Sequence, residues 1–311
     1  MKNLQKVILA WVMVTLSLFA LDNQSSNTKE QYQKALQTAS INMYKAMQVG
    51  PKEIQLNTLA TLSLPEQFGF IPAHEAKEVL ALFGHKNLEG TLGMVLANPA
   101  VDSESRWMVL ISYTDSGHIM DDDAKNWKSD DLLDNLRKGT EEGNVIRKER
   151  GFPTLSILGW IEKPHYDEQS NRLLWSIKTL SQGATLDNAS INYNTLALSK
   201  EGYISMNLVS NLNRIEQEKV VPKTLLSSLH FSEGNQYVDF NAKTDKVAEY
   251  GLAALITGIA AKKLGLFALA AGVLLKFSKV ILISLAGVGY YFSRRKKTAQ
   301  KNKDDKENNE A

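Results

Sequence analysis

Apolar and polar positions alternate with different periods along this chain, and the periods mark out its elements. From 29 to 49, apolar residues fall near every third or fourth position, the period of one helical face, and the stretch stops at the breaker pair Gly50-Pro51. Residues 53–64 alternate only in part before a turn at Pro65, which predicts a strand or a short hairpin. Pro72 is placed to open a helix that runs through Phe83 and halts at Gly84. Residues 91–96 and 107–113 are rich in β-branched and bulky apolar side chains and read as strands. Ser129 is a side-chain N-cap for a charged helix from Asp130 to about Arg150, weakened at Gly139 and Gly143 and stopped near Gly151.

After Pro153 the pattern turns to hairpins. Strands at 155–161 and 173–180 flank the turn-rich Pro164-His165-Tyr166-Asp167-Glu168, and strands at 190–198 and 203–209 flank Lys200-Glu201-Gly202. Strands that follow one another without intervening helices pair antiparallel. The expected fold is therefore α+β, an antiparallel sheet with flanking helices on one face, filling residues 22–249 as one domain. No internal repeat and no Pro/Gly/Ser-rich linker divides that stretch.

The two apolar ends have a different meaning. Lys2 and Lys6 precede an unbroken apolar run from Val7 to Ala20, which matches a secretory signal and is short for a spanning helix of about 20 residues. Ala20 has Leu18 where a small residue is preferred for cleavage, so residues 1–21 serve either as a cleaved signal or as an N-terminal anchor. Residues 250–293 hold only Lys262, Lys263, Lys276 and Lys279 as charges before the cluster Arg294-Arg295-Lys296-Lys297. Small residues recur there at spacings of three or four (Gly251, Ala254, Gly258, Ala261, Gly265), which lets helices approach closely in lipid. A C-terminal transmembrane helical segment follows, with one crossing within 264–292 and a polar, disordered cytoplasmic tail over 294–311, oriented by its basic cluster. Lys276 and Lys279 sit awkwardly in such a crossing unless they reach the interface or face another helix.

Charge and composition narrow the function. Hydrophobic residues at 43% and charged residues at 23% allow a packed core and exclude wholesale disorder. The chain is +2 overall, but residues 22–249 hold 23 of the 36 basic and 30 of the 34 acidic residues, a net of −7. An acidic domain without a basic, aromatic-lined stripe does not suit a phosphate backbone, so nucleic acid is not an expected partner. Cysteine is absent, which excludes thiol nucleophiles, CxxC redox chemistry and cysteine-ligated metals, and leaves an exported domain to stand on its core.

Each local hint of chemistry has a plainer reading beside it. His74-Glu75-Ala76-Lys77-Glu78 starts like a zinc-protease helix but has Glu78 where the second histidine belongs, which leaves a solvated helix start. Asp115 and Asp121-Asp122-Asp123 gather carboxylates without the order of a calcium loop, and read as a turn leading into an acidic helix cap. Ser26-Asn27-Thr28-Lys29 has the form of a Ser–Lys dyad without its companion motifs. Trp107, Trp160 and Trp175 fall on strands, where core packing outweighs a sugar- or peptide-binding groove. Nucleophile elbows, P-loops and dinucleotide-binding turns are missing. No catalytic, cofactor-binding or metal-ligating residue is assigned on this basis, and no cofactor.

Three groups of residues carry a resemblance. They are Ile111-Ser112-Tyr113-Thr114-Asp115-Ser116-Gly117; Gly159-Trp160 with Pro164-His165-Tyr166-Asp167 and Leu174-Trp175; and Glu233-Gly234-Asn235-Gln236-Tyr237-Val238-Asp239-Phe240 with Thr244-Asp245-Lys246-Val247-Ala248-Glu249-Tyr250-Gly251. With them the chain, from about Gly69 to Phe292, resembles an uncharacterised family of bacterial membrane-anchored proteins, domain of unknown function 2167. The resemblance implies export and an inner-membrane anchor with the domain in the periplasm, and transfers no site residues. Within the last group, Gly234 suits a turn, and Asp239 and Asp245 are placed to cap the start of the membrane segment. The expected function is a non-enzymatic interaction module of the envelope, whose partners are the bilayer and an envelope protein or a second copy. The alternatives are a hydrolase built from scattered Asp, Glu and His, or a membrane segment that itself oligomerises or binds lipid.

Overall fold

A computed structural model describes residues 26–82, 88–102, 107–149 and 153–258. Its centre is an eight-stranded, wholly antiparallel sheet in the order β1-β4-β5-β6-β10-β9-β8-β7. The strands are β1 (Gln48–Val49), β4 (Phe68–Pro72), β5 (Thr91–Ala97), β6 (Met108–Asp115), β7 (Leu155–Asp167), β8 (Arg172–Ser181), β9 (Ser190–Ser199) and β10 (Gly202–Asn211). A second, three-stranded sheet joins β11 (Leu229–Phe231), β3 (Ala60–Leu64) and β2 (Lys52–Leu56). The fold is α+β with a large antiparallel sheet and flanking helices.

Alternation along the strands separates two faces. One points Phe70, Val109, Tyr193, Ile204 and Met206 at Ile54, Leu56 and Leu62 of the small sheet and at Leu225 of a helix, Val220–Ser227. The opposite face carries two separate apolar clusters. Over β4, β5 and β6, helix α1 (Ser26–Ala46) and helix α2 (Ala73–Leu82) cover Ile71, Met94, Leu96 and Met108. In α1 the buried residues Leu36, Ala39 and Met43 repeat at intervals of three and four, as the sequence period requires. Over β8 and β9, Leu173, Trp175, Leu196 and Leu198 are covered by Leu132 of helix α3 (Ser129–Glu149) and by Leu252, Leu255 and Ile256 of a short helix, Leu252–Thr257. Helices α4 (Ile215–Glu218), α5 (Val220–Ser227) and α6 (Leu252–Thr257) complete the order.

Several expectations change here. The flanking layer is not confined to one face: α5 and the small sheet bury the other side through Val221, Leu225 and Leu226. The turn-rich stretch from Pro164 to Asp167 lies within β7, which runs on to pair Asp167 with Arg172. Register shifts between Ile157 and Gly159, Trp160 and Glu162, and Glu162 and His165 take up the misfit, and the proline stands on an edge strand, where a missing N–H is tolerated. Pro72 ends β4 opposite Gly93, and the helix starts one residue later at Ala73. Ser129 lies inside α3, whose first turn is closed by Leu132 N donating to Lys128 O at 3.1 Å. Residues 252–257, the first helix of the stretch read as membrane segment, are seated in the core because their apolar side chains meet the sheet. Among the described residues no helix is long and apolar enough to cross a membrane. The run of residues 7–20, the crossing expected within 264–292 and the tail lie outside the described residues.

Candidate functional site

Two of the segments that carry the family resemblance, 111–117 and 233–251, meet at one end of the large sheet around His118, and Tyr166 of the third reaches Asp121 beside them. Strand β6 ends at Asp115, and the chain turns through Ser116 and Gly117, the latter at φ +84°. A Cβ there would stand 2.8 Å from the Lys246 carbonyl oxygen, so glycine is needed both for conformation and for approach. Gly117 N donates to Glu201 O (3.1 Å) in the β9–β10 turn, which sets the next residue beneath the C-terminal segment.

His118 is 4% exposed. Its backbone N donates to Lys246 O at 2.8 Å and its carbonyl accepts from Ala248 N at 2.8 Å, an isolated parallel bridge to Val247. Its ring lies between Phe240 (centroids 3.8 Å, interplanar 9°) and Tyr237 (4.3 Å, 28°). Nδ1 is 3.2 Å from Lys200 O. A carbonyl only accepts, so Nδ1 carries a proton and the other ring nitrogen is bare in the neutral ring. Burial lowers the imidazole's pKa, against the Lys200 carbonyl and the charges of Asp121 and Asp245, which favour the protonated form.

The surrounding polar groups are engaged with one another. Tyr237 donates from its hydroxyl to Ile119 O at 2.7 Å, and Tyr166 to Asp121 Oδ2 at 2.8 Å; burial raises both phenols well above their ordinary value. Asp245 accepts from Asn241 N (2.8 Å) and Thr244 Oγ1 (2.9 Å) and lies 3.4 Å from Lys200 Nζ. The Asn241 amide, foremost, holds its carboxyl below the usual range. Asp239 accepts from Gln236 N (2.8 Å), closing a capping box around the short turn Tyr237–Asp239. Neither Asp239 nor Asp245 caps α6. That position belongs to Asp123, whose two oxygens accept from Leu252 N (3.1 Å) and Ala253 N (2.9 Å). Gly251 makes room for it, since a Cβ there would come within 2.7 Å of Asp123 Oδ2. Gly234 occupies the expected turn, at φ +81°.

The other residues singled out in the sequence are dispersed. His74 and Glu78 face solvent, 3.4 Å apart. The carboxylates of Asp115, Asp121, Asp122 and Asp123 do not converge: Asp121 serves Tyr166, Asp123 serves α6, and Asp115 and Asp122 are exposed. Trp107 packs edge-on to Phe68 at 5.4 Å, Trp175 is buried, and Trp160 donates from Nε1 to Ser129 O at 3.2 Å, so the three tryptophans line no common groove. Sequence reasoning passed over His118 itself. Its ring partners come from a segment more than a hundred positions further on, as the 118-residue separation of Ile119 and Tyr237 illustrates, and no local pattern marks such a meeting.

Residues 48–289 match the model of a family described as protein of unknown function, DUF2167. Among solved structures the chain is similar to cyanobacterial PsbP (CyanoP) from Synechocystis sp. PCC 6803, at 9% identity and a TM-score of 0.35, over 60% of this chain and 93% of that one. No curated protein matches the sequence.

Proposed function

This chain belongs to that family of proteins of unknown function, and from its geometry we propose that it is a membrane-tethered, non-catalytic interaction module that faces the periplasm. The observation that carries the reading is the seating of α6. The helix that leads into the apolar tract is capped by Asp123 and buried through Leu252, Leu255 and Ile256, so the tract leaves from a fixed point of the domain. Residues 264–292, with Lys276 and Lys279 as their only charges, supply the anchor on this reading. The polar groups that converge around His118 hold chain segments together, which suits a scaffold better than a catalytic site. The partner is then an envelope protein met near the bilayer surface, or a second copy.

The test compares the full chain with a version ending at Gly258, which keeps α6. With residues 1–21 replaced in both by a cleavable secretory signal, the full chain is expected to stay in the membrane fraction through an alkaline carbonate wash and the shortened one to be released in folded form; equal retention of both would refute the C-terminal anchor. Crosslinking in intact cells is expected to trap the same envelope protein with each version. If neither traps one, and the purified domain instead hydrolyses an envelope polymer, the enzymatic reading replaces this one.

A further inference from the structure

The stretch from Gln236 to Ala248 crosses the end of the sheet as a strap with little holding it down. Asn241 to Thr244, Lys246 and Val247 are exposed, Val238 is 78% exposed, and Tyr237, Phe240 and Ala248 are half-buried; only the Asp245 carboxylate, beside Lys200, is nearly covered. Its attachments are few and gather at one residue. Among the described residues they are the two backbone bonds of His118 to Lys246 and Ala248, the stacking of Tyr237 and Phe240 on the His118 ring, the contacts of the Tyr237 hydroxyl with Ile119 O and Asp121, the bridge of Gln236 to Ser199, the Lys200–Asp245 pair, and the partial packing of Tyr237 and Ala248 on the apolar cluster beneath. A segment that buries only parts of Tyr237, Phe240 and Ala248 opens locally at lower cost than a core element. The helix that follows is different, because Leu252, Leu255 and Ile256 are deep in an apolar cluster.

We propose that His118 is a proton-sensitive clasp: protonation of its ring opens the strap over residues 236–248 while α6 stays seated. In the neutral ring the Nδ1 proton is given to Lys200 O, and the second nitrogen needs no acceptor. Adding a proton creates a second N–H, and His118 makes no further side-chain hydrogen bond among the described residues that would receive it. It also places a positive charge between two rings, away from water. Asp121 and Asp245 face the ring and would favour that charge, and ring faces attract cations. Several neighbours blunt this help. Asp121 is bonded to the Tyr166 hydroxyl, Asp245 is paired with Lys200, Lys246 brings a further positive charge on the strap itself, and Asp122 bears on Tyr237 instead. Burial is the largest influence on the ring and disfavours its charged form. The least costly way to hydrate the imidazolium is to lift the strap. The clasp and the strap lie wholly within residues 118–248 and their neighbours in the sheet, so their behaviour is independent of the membrane anchor.

The test is hydrogen exchange on the full chain in detergent micelles at pH 7.5 and 5.0, corrected for the intrinsic rate, following the Ala248 amide that donates to His118 O. Its protection is expected to fall at least about tenfold at pH 5.0, with the amides of α6 unchanged. In the H118F variant, which keeps a stacking ring without a titrating group, Ala248 is expected to be equally protected at both pH values. The NMR titration midpoint of His118 in the unmodified chain is expected to coincide with the midpoint of strap opening. Unchanged protection of Ala248, loss of α6 protection in parallel, the same pH dependence in H118F, or a His118 midpoint away from that of opening would each overturn the proposal; should H118F not fold, the comparison of midpoints decides.

Discussion

Single residues at the sheet end make sharp predictions because each does one identifiable thing. Asp123 satisfies two N–H groups at the start of α6, so Asp123→Ala should cost about 0.5–2 kcal/mol, read as a lower melting temperature. Gly117 combines a left-handed φ with a 2.8 Å approach to the Lys246 carbonyl, so Gly117→Ala should cost about 1–3 kcal/mol by urea denaturation. The pH dependence of stability has a definite sign. His118 has a lower pKa folded than unfolded, so its neutral form is the native one. Its contribution is therefore complete above the unfolded value of about 6.5 and declines as the pH falls from there toward the folded value. Denaturant midpoints at pH 7.5 and 5.0 should differ more in the unmodified chain than in H118F.

At the scale of elements, the edge strand β7 shows how a side chain can stand in for a strand. Asn144 of α3 donates from Nδ2 to Leu155 O and accepts from Leu155 N, both at 2.8 Å, and Arg137 Nε reaches Ile157 O at 3.5 Å. Asn144→Ala would leave both backbone groups of Leu155 without these partners, a loss of about 1–3 kcal/mol that equilibrium unfolding would detect. The helices and hairpins were legible in the sequence wherever one face is wet: α1 through its stripe at 36, 39 and 43, and the β9–β10 hairpin through its alternation. Strand β4 was not: Phe68, Gly69, Phe70 and Ile71 are all buried, which removes any alternation, and unlike the equally buried β5 it is only five residues long and ends in Pro72, itself a helix-start signal. The length of β7 was hidden by Pro164, whose turn signal does not hold because the edge strand takes the proline up in register shifts on either side of Glu162. The candidate site was legible only as separate motifs. Ser116-Gly117 and residues 233–251 were visible as unusual runs, but the contact of His118 with Tyr237 and Phe240 is a tertiary fact with no periodic trace.

For the molecule as a whole, the order of the chain and the order of the sheet do not agree. Strand β6 is paired with β10, and β7, β8 and β9 are inserted between them in sequence, on the far side in space. The apolar cluster of Leu173, Trp175, Leu196 and Leu198 is finished only by Leu252, Leu255 and Ile256. Synthesis runs from the N-terminus, so a nascent chain that has delivered both hairpins still lacks the piece that covers them. Completion of the fold is a late event, tied to the arrival of residue 257 and to the apolar tract close behind it. A chain arrested before Leu252 would leave Leu173, Trp175, Leu196 and Leu198 covered by Leu132 alone of the two helices, an open apolar edge for a chaperone to hold.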